Sequence, residues 1–224
     1  MNIIESILQQ MPGISQPQKK FLVTLFSTIL LVYGKVNFTN LSRYSYLSEK
    51  TYRRHFLKSF NFPQFNQYFL ELALNPEHTV IAVIDCSFLR KSGKKTDGNT
   101  LLFSTDVHLP PEQIIEYYQA RFQIEFIFRD AKQFTGLSDC QARHYLRLDF
   151  HFNASLVALN LAKYELSSSH SSAKSFVFSM ASYKRLEFNK HLLSTFIDKL
   201  DLDPDLILNH PNLPSVLSYG TLAA

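Results

Sequence analysis

Four polar residues recur at helical spacing in the segment YYQARFQIEFIFRDAK, which covers residues 117–132. They are Tyr118, Arg121, Glu125 and Lys132, and at about 100° per residue all four side chains fall on one face of a helix, within roughly 60° of one another. Apolar residues flank this stripe, and a carboxylate between apolar flanks is costly unless a cation or a metal ion meets it. One interpretation is an ordinary i, i+4 ion pair between Arg121 and Glu125, worth about 0.2–0.5 kcal/mol. The other is a site in which Glu125 is a ligand.

A second carboxylate, Asp85, ends the apolar run HTVIAVID at residues 78–85. The β-branched composition of this run predicts a short strand buried on both faces. Leu101 to Thr105 predicts a second short strand. An isolated Asp at the end of a strand commonly caps the following loop, whereas Asp85 together with Glu125 would supply the oxygen ligands that hard cations bind.

The N-terminal segment, residues 1–72, is predicted to be wholly helical, because apolar residues recur at helical spacing with few Gly or Pro breaks. Residues 39–56 (TNLSRYSYLSEKTYRRHF) predict a short helix, a turn near Tyr46 and a second helix capped by Ser48. That is helix-turn-helix spacing, and four basic residues are predicted along the second helix: Lys50, Arg53, Arg54 and Lys58. A solvated basic helix is the alternative to a DNA-contacting one.

The elements after the strands are also predicted to be helical. Pro110 and Pro111 open a long helix that reaches about Phe134, since Pro is tolerated in a first turn. A second apolar helix covers about Leu148 to Tyr164. Residues 167–175 (SSSHSSAKS) form a flexible connection, and the tail beyond them is helical.

Composition allows a folded chain and few further conclusions. The 224 residues are 46% hydrophobic and carry a net charge of +4, with a sequence pI near 9.0; this balance is compatible with a polyanionic partner. Cys86 and Cys140 lack metal-ligand spacing, which predicts reduced thiols. The N-terminus lacks the pattern of a secretory signal, and the longest apolar run, Phe21 to Tyr33, is too short to span a bilayer. We expect a soluble, cytoplasmic protein without a membrane partner.

The spacing Y-x2-R-x3-E-x6-K of Tyr118, Arg121, Glu125 and Lys132, hereafter the YREK stripe, resembles the signature of a large group of bacterial insertion-sequence transposases of the DDE type. The sequences that continue it, FRDAKQFTGLSDCQAR and LDFHFNASLVALNLA, and CSFLRKSGKKT after Asp85, are similar to the same family. The resemblance implies a ribonuclease-H-like core that cleaves and joins DNA with two Mg²⁺ or Mn²⁺ ions. By this resemblance Asp85 and Glu125 are the metal ligands, while Tyr118, Arg121 and Lys132 position the DNA backbone.

The sequence departs from that family between its two carboxylates. Only 40 residues separate Asp85 from Glu125, whereas complete members carry several more strands and a middle catalytic aspartate in this interval. Asp97 lies in a polar loop, and Asp106 does not match the middle aspartate. The sequence therefore resembles a copy with an internal deletion near residues 96–99, in which metal binding is weak or absent.

These observations predict an α/β chain that is mostly helical. Residues 1–72 would form a DNA-binding arm, residues 73–166 a truncated ribonuclease-H-like core, and residues 167–224 a C-terminal helical segment. The expected function is that of a DDE transposase-like protein, inactive in cleavage, that binds the element's terminal repeats near the nucleoid. The alternative is a non-enzymatic DNA-binding protein that competes with intact transposase or joins it in oligomers, and association with a second copy of this chain is also expected. A third possibility is a decayed reading frame with no selected role.

Overall fold

A computed structural model of the chain describes residues 2–74, 106–169 and 178–222. Every regular element in these ranges is an α-helix. In chain order they are α1 Asn2–Gln10, α2 Gln16–Leu31, α3 Phe38–Arg43, α4 Glu49–His55, α5 Phe62–Ala73, α6 Pro111–Ala120, α7 Phe122–Phe134, α8 Tyr145–Ser169, α9 Met180–Lys199, α10 Pro204–Leu208 and α11 Leu213–Leu217. The predicted mostly helical character is confirmed. The predicted strands at 78–85 and 101–105 lie outside the described residues, and so do Asp85, Cys86 and Asp97.

The chain divides into two compact units. Unit 1 combines Met1–Leu74 with Asp130–Ala224, and unit 2 is Asn75–Arg129. Glu125 belongs to unit 2 and Lys132 to unit 1. The arm helices thus share a unit with α8 and α9, while the functional boundaries at 72/73 and 166/167 stay predictions.

The core of unit 1 is built around α2. This helix packs against α1, α3, α8 and α9, and α5 packs against α1 and α8. The apolar run predicted from the sequence lies in α2, where Phe21, Leu25 and Phe26 are among its buried residues. Ser15 caps the helix by accepting a hydrogen bond from the Gln18 N–H, which satisfies one of the donors that a helix N-terminus leaves free. None of the described helices combines the length and the apolar composition that spanning a membrane requires.

A buried polar cluster joins the end of α7 to α8. The hydroxyls of Thr135 and Ser155 are 2.8 Å apart, and His151 Nε2 lies 2.6 Å from the Gly136 carbonyl oxygen. Since a carbonyl only accepts, Nε2 carries the proton and donates it. Burial lowers the pKa of His151, although Gly136 and Asp139 oppose the shift, so the ring is neutral at pH 7.

The chain turns sharply where α7 ends. Gly136 has φ +76°, and a Cβ at this position would lie 2.3 Å from Val36 Cβ. Only glycine fits, because both the left-handed backbone and the close approach exclude a side chain. This contact brings the loop after α2 against the loop after α7.

The predicted helix from Pro110 to Phe134 is wrong in one respect, because it is interrupted at Arg121. Helix α6 ends at Ala120 and α7 begins at Phe122. The Arg121 N–H donates to the Tyr118 carbonyl at 3.1 Å, and the Ile124 N–H donates to the Arg121 carbonyl at 3.0 Å. These i to i−3 hydrogen bonds tighten the backbone locally.

Candidate functional site

Helices α3 and α4 are the two short helices predicted within residues 39–56, and their role as a DNA-binding helix-turn-helix stays a prediction. Ser48 caps α4 as predicted, since its hydroxyl accepts a hydrogen bond from the Thr51 N–H at 3.2 Å. One face of α4 is fixed in the core by Tyr52, whose hydroxyl lies 2.8 Å from that of Ser45, and by Phe56 just after the helix. The helix is shorter than predicted: it ends at His55, so Lys58 lies in the turn that follows.

Arg53 is anchored from two sides. Its guanidinium forms an ion pair with Glu49, with Nε–Oε1 and Nη2–Oε1 distances of 2.7 and 2.6 Å, and it stands 5.2 Å from the centre of the Phe38 ring. The hydrogen bond from Arg53, with one from Thr39, lowers the pKa of Glu49. The Glu49 carboxylate therefore partly neutralises the Arg53 charge within the arm.

Lys50, Arg54 and Lys58 are exposed, and within the described residues none of them forms an ion pair. Lys50 and Arg54 are four residues apart on α4, where like charges cost an isolated helix about 0.2–0.5 kcal/mol. Burial lowers the pKa of the neighbouring His55, and the charges of Lys58 and Arg54 lower it further. The exposed face of α4 is thus positively charged while its opposite face packs in the core.

The part of the YREK stripe in unit 2 forms a chain of contacts. The Arg121 guanidinium lies 5.5 Å from the centre of the Tyr118 ring and 5.0 Å from that of Phe122. Arg121 Nη1 is 3.7 Å from Glu125 Oε1, with side-chain exposures of 27% and 59%. The structure therefore brings Tyr118, Arg121 and Glu125 together in the ion-pair geometry, and their catalytic roles stay predictions.

The described residues do not assemble a metal centre. They contain no group of three or more His, Cys, Asp or Glu side chains that could hold a metal ion. Glu125 faces a guanidinium, and its predicted partner Asp85 lies outside the described ranges. Asp106 is occupied in a local turn, where its carboxylate accepts the His108 N–H at 2.9 Å.

Lys184 is a buried cation that the sequence analysis missed. Its ammonium donates to the Ile29 carbonyl at 3.1 Å and to the Phe134 carbonyl at 2.5 Å. These carbonyls lie in the last turns of α2 and α7, where helices leave oxygens unpaired and carry partial negative charge. Burial lowers the pKa of Lys184 to about 8, with Asp139 opposing the shift. One lysine thus caps two helix C-termini, and it stays protonated at pH 7.

No local pattern reveals Lys184, because its partners are 155 and 50 residues away in the sequence. The adjacent Arg185 escaped notice for the same reason. Its guanidinium stands 4.8 Å from the centre of the Tyr33 ring. Lys132, the last residue of the YREK stripe, is exposed and lines a cavity with Lys184 and Arg185.

Comparison with known proteins identifies the class. The family model described as "Transposase DDE domain" matches residues 35–161, more than half of the chain. The chain therefore belongs to the DDE transposases, a family that generally binds DNA and depends on divalent metal ions. No curated protein and no solved structure matches the chain.

Proposed function

We propose that this chain is a DNA-binding member of the DDE transposase family that does not cleave DNA. The observation that carries the binding part is helix α4, whose exposed face presents Lys50 and Arg54 while Tyr52 and His55 are buried. A basic helix face held rigidly by its opposite side suits contact with a phosphate backbone. Phosphates would also relieve the repulsion between Lys50 and Arg54.

The absence of cleavage is supported by the sequence between the carboxylates. Forty residues from Asp85 to Glu125 leave little room for the strands and the middle aspartate that the resemblance implies. A displacement that relies on two metal ions loses several kcal/mol of charge stabilisation when one ion is lost, which slows it about a thousandfold or more. We therefore place this chain among internally deleted copies of the family.

Binding is tested by a mobility-shift titration over a series of salt concentrations, with duplexes that carry the element's terminal repeats. The variant is Lys50→Gln with Arg54→Gln, which leaves the Arg53–Glu49 pair in place. Loss of two phosphate contacts should reduce the slope of log K against log salt by roughly 1.8. The matched control is Lys190→Gln with Lys199→Gln, which removes two exposed lysines of α9. Equal slopes for both variants would show that α4 does not contact the DNA phosphates.

Cleavage is tested on the same duplexes with Mg²⁺ and Mn²⁺. We expect no nicking and no strand transfer by the unmodified chain. The control is Glu125→Gln, which keeps the size of the side chain and removes its charge. Cleavage by the unmodified chain that this substitution abolishes would show a working site and end the proposal of inactivity.

A further inference from the structure

A second basic region of unit 1 lies apart from helix α4. A cavity of about 530 Å³ opens between the loop after α2, the C-terminal end of α7, the first two turns of α9 and the loop that holds Gly220 and Leu222. We call it the α2–α7–α9 cleft. Its charged lining residues are Lys35, Lys132, Lys184 and Arg185 on the positive side and Asp139 on the negative side. Three separate segments of the chain therefore bring their cations to one concave surface.

The one carboxylate in the cleft is already engaged. Asp139 Oδ2 accepts the Val36 N–H at 2.7 Å, and the Asp139 charge also faces the buried ammonium of Lys184. Within the described residues, Lys35, Lys132 and Arg185 form no ion pair. Their charges are therefore available to a ligand.

Helices α2 and α7 direct their C-termini to this region and carry partial negative charge there. Without a compensating cation these helix ends would repel a bound anion. Lys184 offsets them, since its ammonium donates to a carbonyl of each helix. Helix α9 enters with the opposite polarity: its first-turn residues Ala181 and Ser182 line the cleft, so its positive end adds to the cations. The balance at the surface is positive.

The three available cations differ in geometry. The Arg185 guanidinium stands 4.8 Å from the centre of the Tyr33 ring, and its planar N–H groups have the geometry for a bidentate contact. Lys35 and Lys132 are exposed, and each offers a point charge on a long, flexible stem. One planar fork with two ammonium groups is a donor set that matches the oxygens of a phosphate.

We propose that the α2–α7–α9 cleft binds a phosphate group of a nucleic-acid backbone, with Arg185 as the fork and Lys35 and Lys132 as flanking charges. This proposal rests on the proposed function for the polymer that carries the phosphate, and it adds a contact surface distinct from α4. The chain would then hold nucleic acid at two places within unit 1.

The test uses the full chain and a fluorescein-labelled DNA duplex, with binding followed by fluorescence anisotropy over a series of salt concentrations. The variant is Lys35→Gln with Arg185→Gln, which leaves the YREK stripe intact. We expect the slope of log K against log salt to fall by roughly 1.8, as for two lost phosphate contacts. Lys190→Gln with Lys199→Gln should leave the slope unchanged.

A second measurement on the unmodified chain needs no substitution. Lysine acetylation, followed by mass spectrometry, should show that the duplex protects Lys35 and Lys132 several-fold more than it protects Lys190 or Lys199. Inorganic phosphate is the competing probe. An unchanged slope for the cleft variant, together with equal protection at all four lysines, would overturn the proposal that the cleft binds phosphate. Loss of binding in the α4 variant would in that case still uphold the proposed function. Protection by inorganic phosphate without duplex binding would overturn the assignment to nucleic acid.

Discussion

Replacing Lys184 with Met tests whether one ammonium supports two helix ends. The substitution keeps an unbranched side chain of similar length and removes the donors to Ile29 and Phe134. Two charge-assisted hydrogen bonds at about 1.5–3 kcal/mol each are lost. Against this, the pKa drop from 10.5 to about 8 means that holding the proton costs the native state roughly 3 kcal/mol at pH 7. We expect a net destabilisation of about 2 kcal/mol at that pH, because the bare carbonyls stay buried.

The pH dependence of this difference gives a sharper test. The native pKa of Lys184 lies below the unfolded value of 10.5, so between about pH 8 and 10.5 the unfolded chain binds more protons than the native one. Stability contributed by this group therefore rises with pH through that window. The unmodified protein gains this stability as the pH rises and the Met variant does not. The difference in unfolding free energy between the two proteins should therefore widen by about 2 kcal/mol between pH 7 and pH 9.5.

The assay is urea unfolding followed by far-UV circular dichroism at both pH values. Lys190→Met is the matched control on the same helix: Lys190 pairs with Glu187 at 2.7 Å and is 49% exposed. An exposed pair is worth less than about 1 kcal/mol, and we expect no widening with pH for this variant. A Lys184→Met protein as stable as the control, or a difference that does not grow with pH, would refute the role of the double cap.

Two further predictions concern the junction between α7 and α8. Gly136→Ala should destabilise the fold by about 2 kcal/mol or more, since the new side chain would combine left-handed backbone strain with a clash against Val36. The control is Gly13→Ala: Gly13 has the same φ of +76° but nothing within 4 Å, so the substitution should cost only about 1 kcal/mol. Equal losses of stability in urea unfolding would disprove the clash. His151 has a lowered pKa, so the unfolded chain takes up a proton first and the free energy of unfolding should fall as pH drops below the unfolded value of 6.5. His151→Gln should lessen that fall, as measured by urea midpoints from pH 7 to pH 5, and a fall as steep as that of the unmodified chain would contradict the role of His151.

Local sequence predicted the elements whose causes are local. The apolar spacing of Phe21 to Tyr33 gave a buried helix, and Ser48 was predicted as a cap because the hydrogen bond it accepts is only three residues away. The Pro110–Pro111 pair correctly marked the start of α6, which begins at Pro111. Such features depend on backbone geometry that neighbouring residues determine.

The features that could not be predicted depend on distant partners. The helix break at Arg121 could not be predicted, because no Gly or Pro stands there. The Arg121 guanidinium lies near the Tyr118 and Phe122 rings, and an unbroken helix would allow the same contacts. Lys184 looked like any surface lysine because its acceptors are carbonyls of α2 and α7. The α2–α7–α9 cleft was hidden for the same reason, since Lys35 and Arg185 meet only after the chain has folded.

Unit 1 is assembled from two stretches of chain, Met1–Leu74 and Asp130–Ala224, and this makes residues 75–129 an insertion within a fold that closes around its own core. The core contacts between α2, α8 and α9 do not involve the inserted residues. Each doubling of such an insertion costs only about 0.6 kcal/mol in closure entropy. Unit 1 should therefore tolerate large gains or losses of sequence between its two stretches, and its basic surfaces should stay in place whatever the length of the insertion.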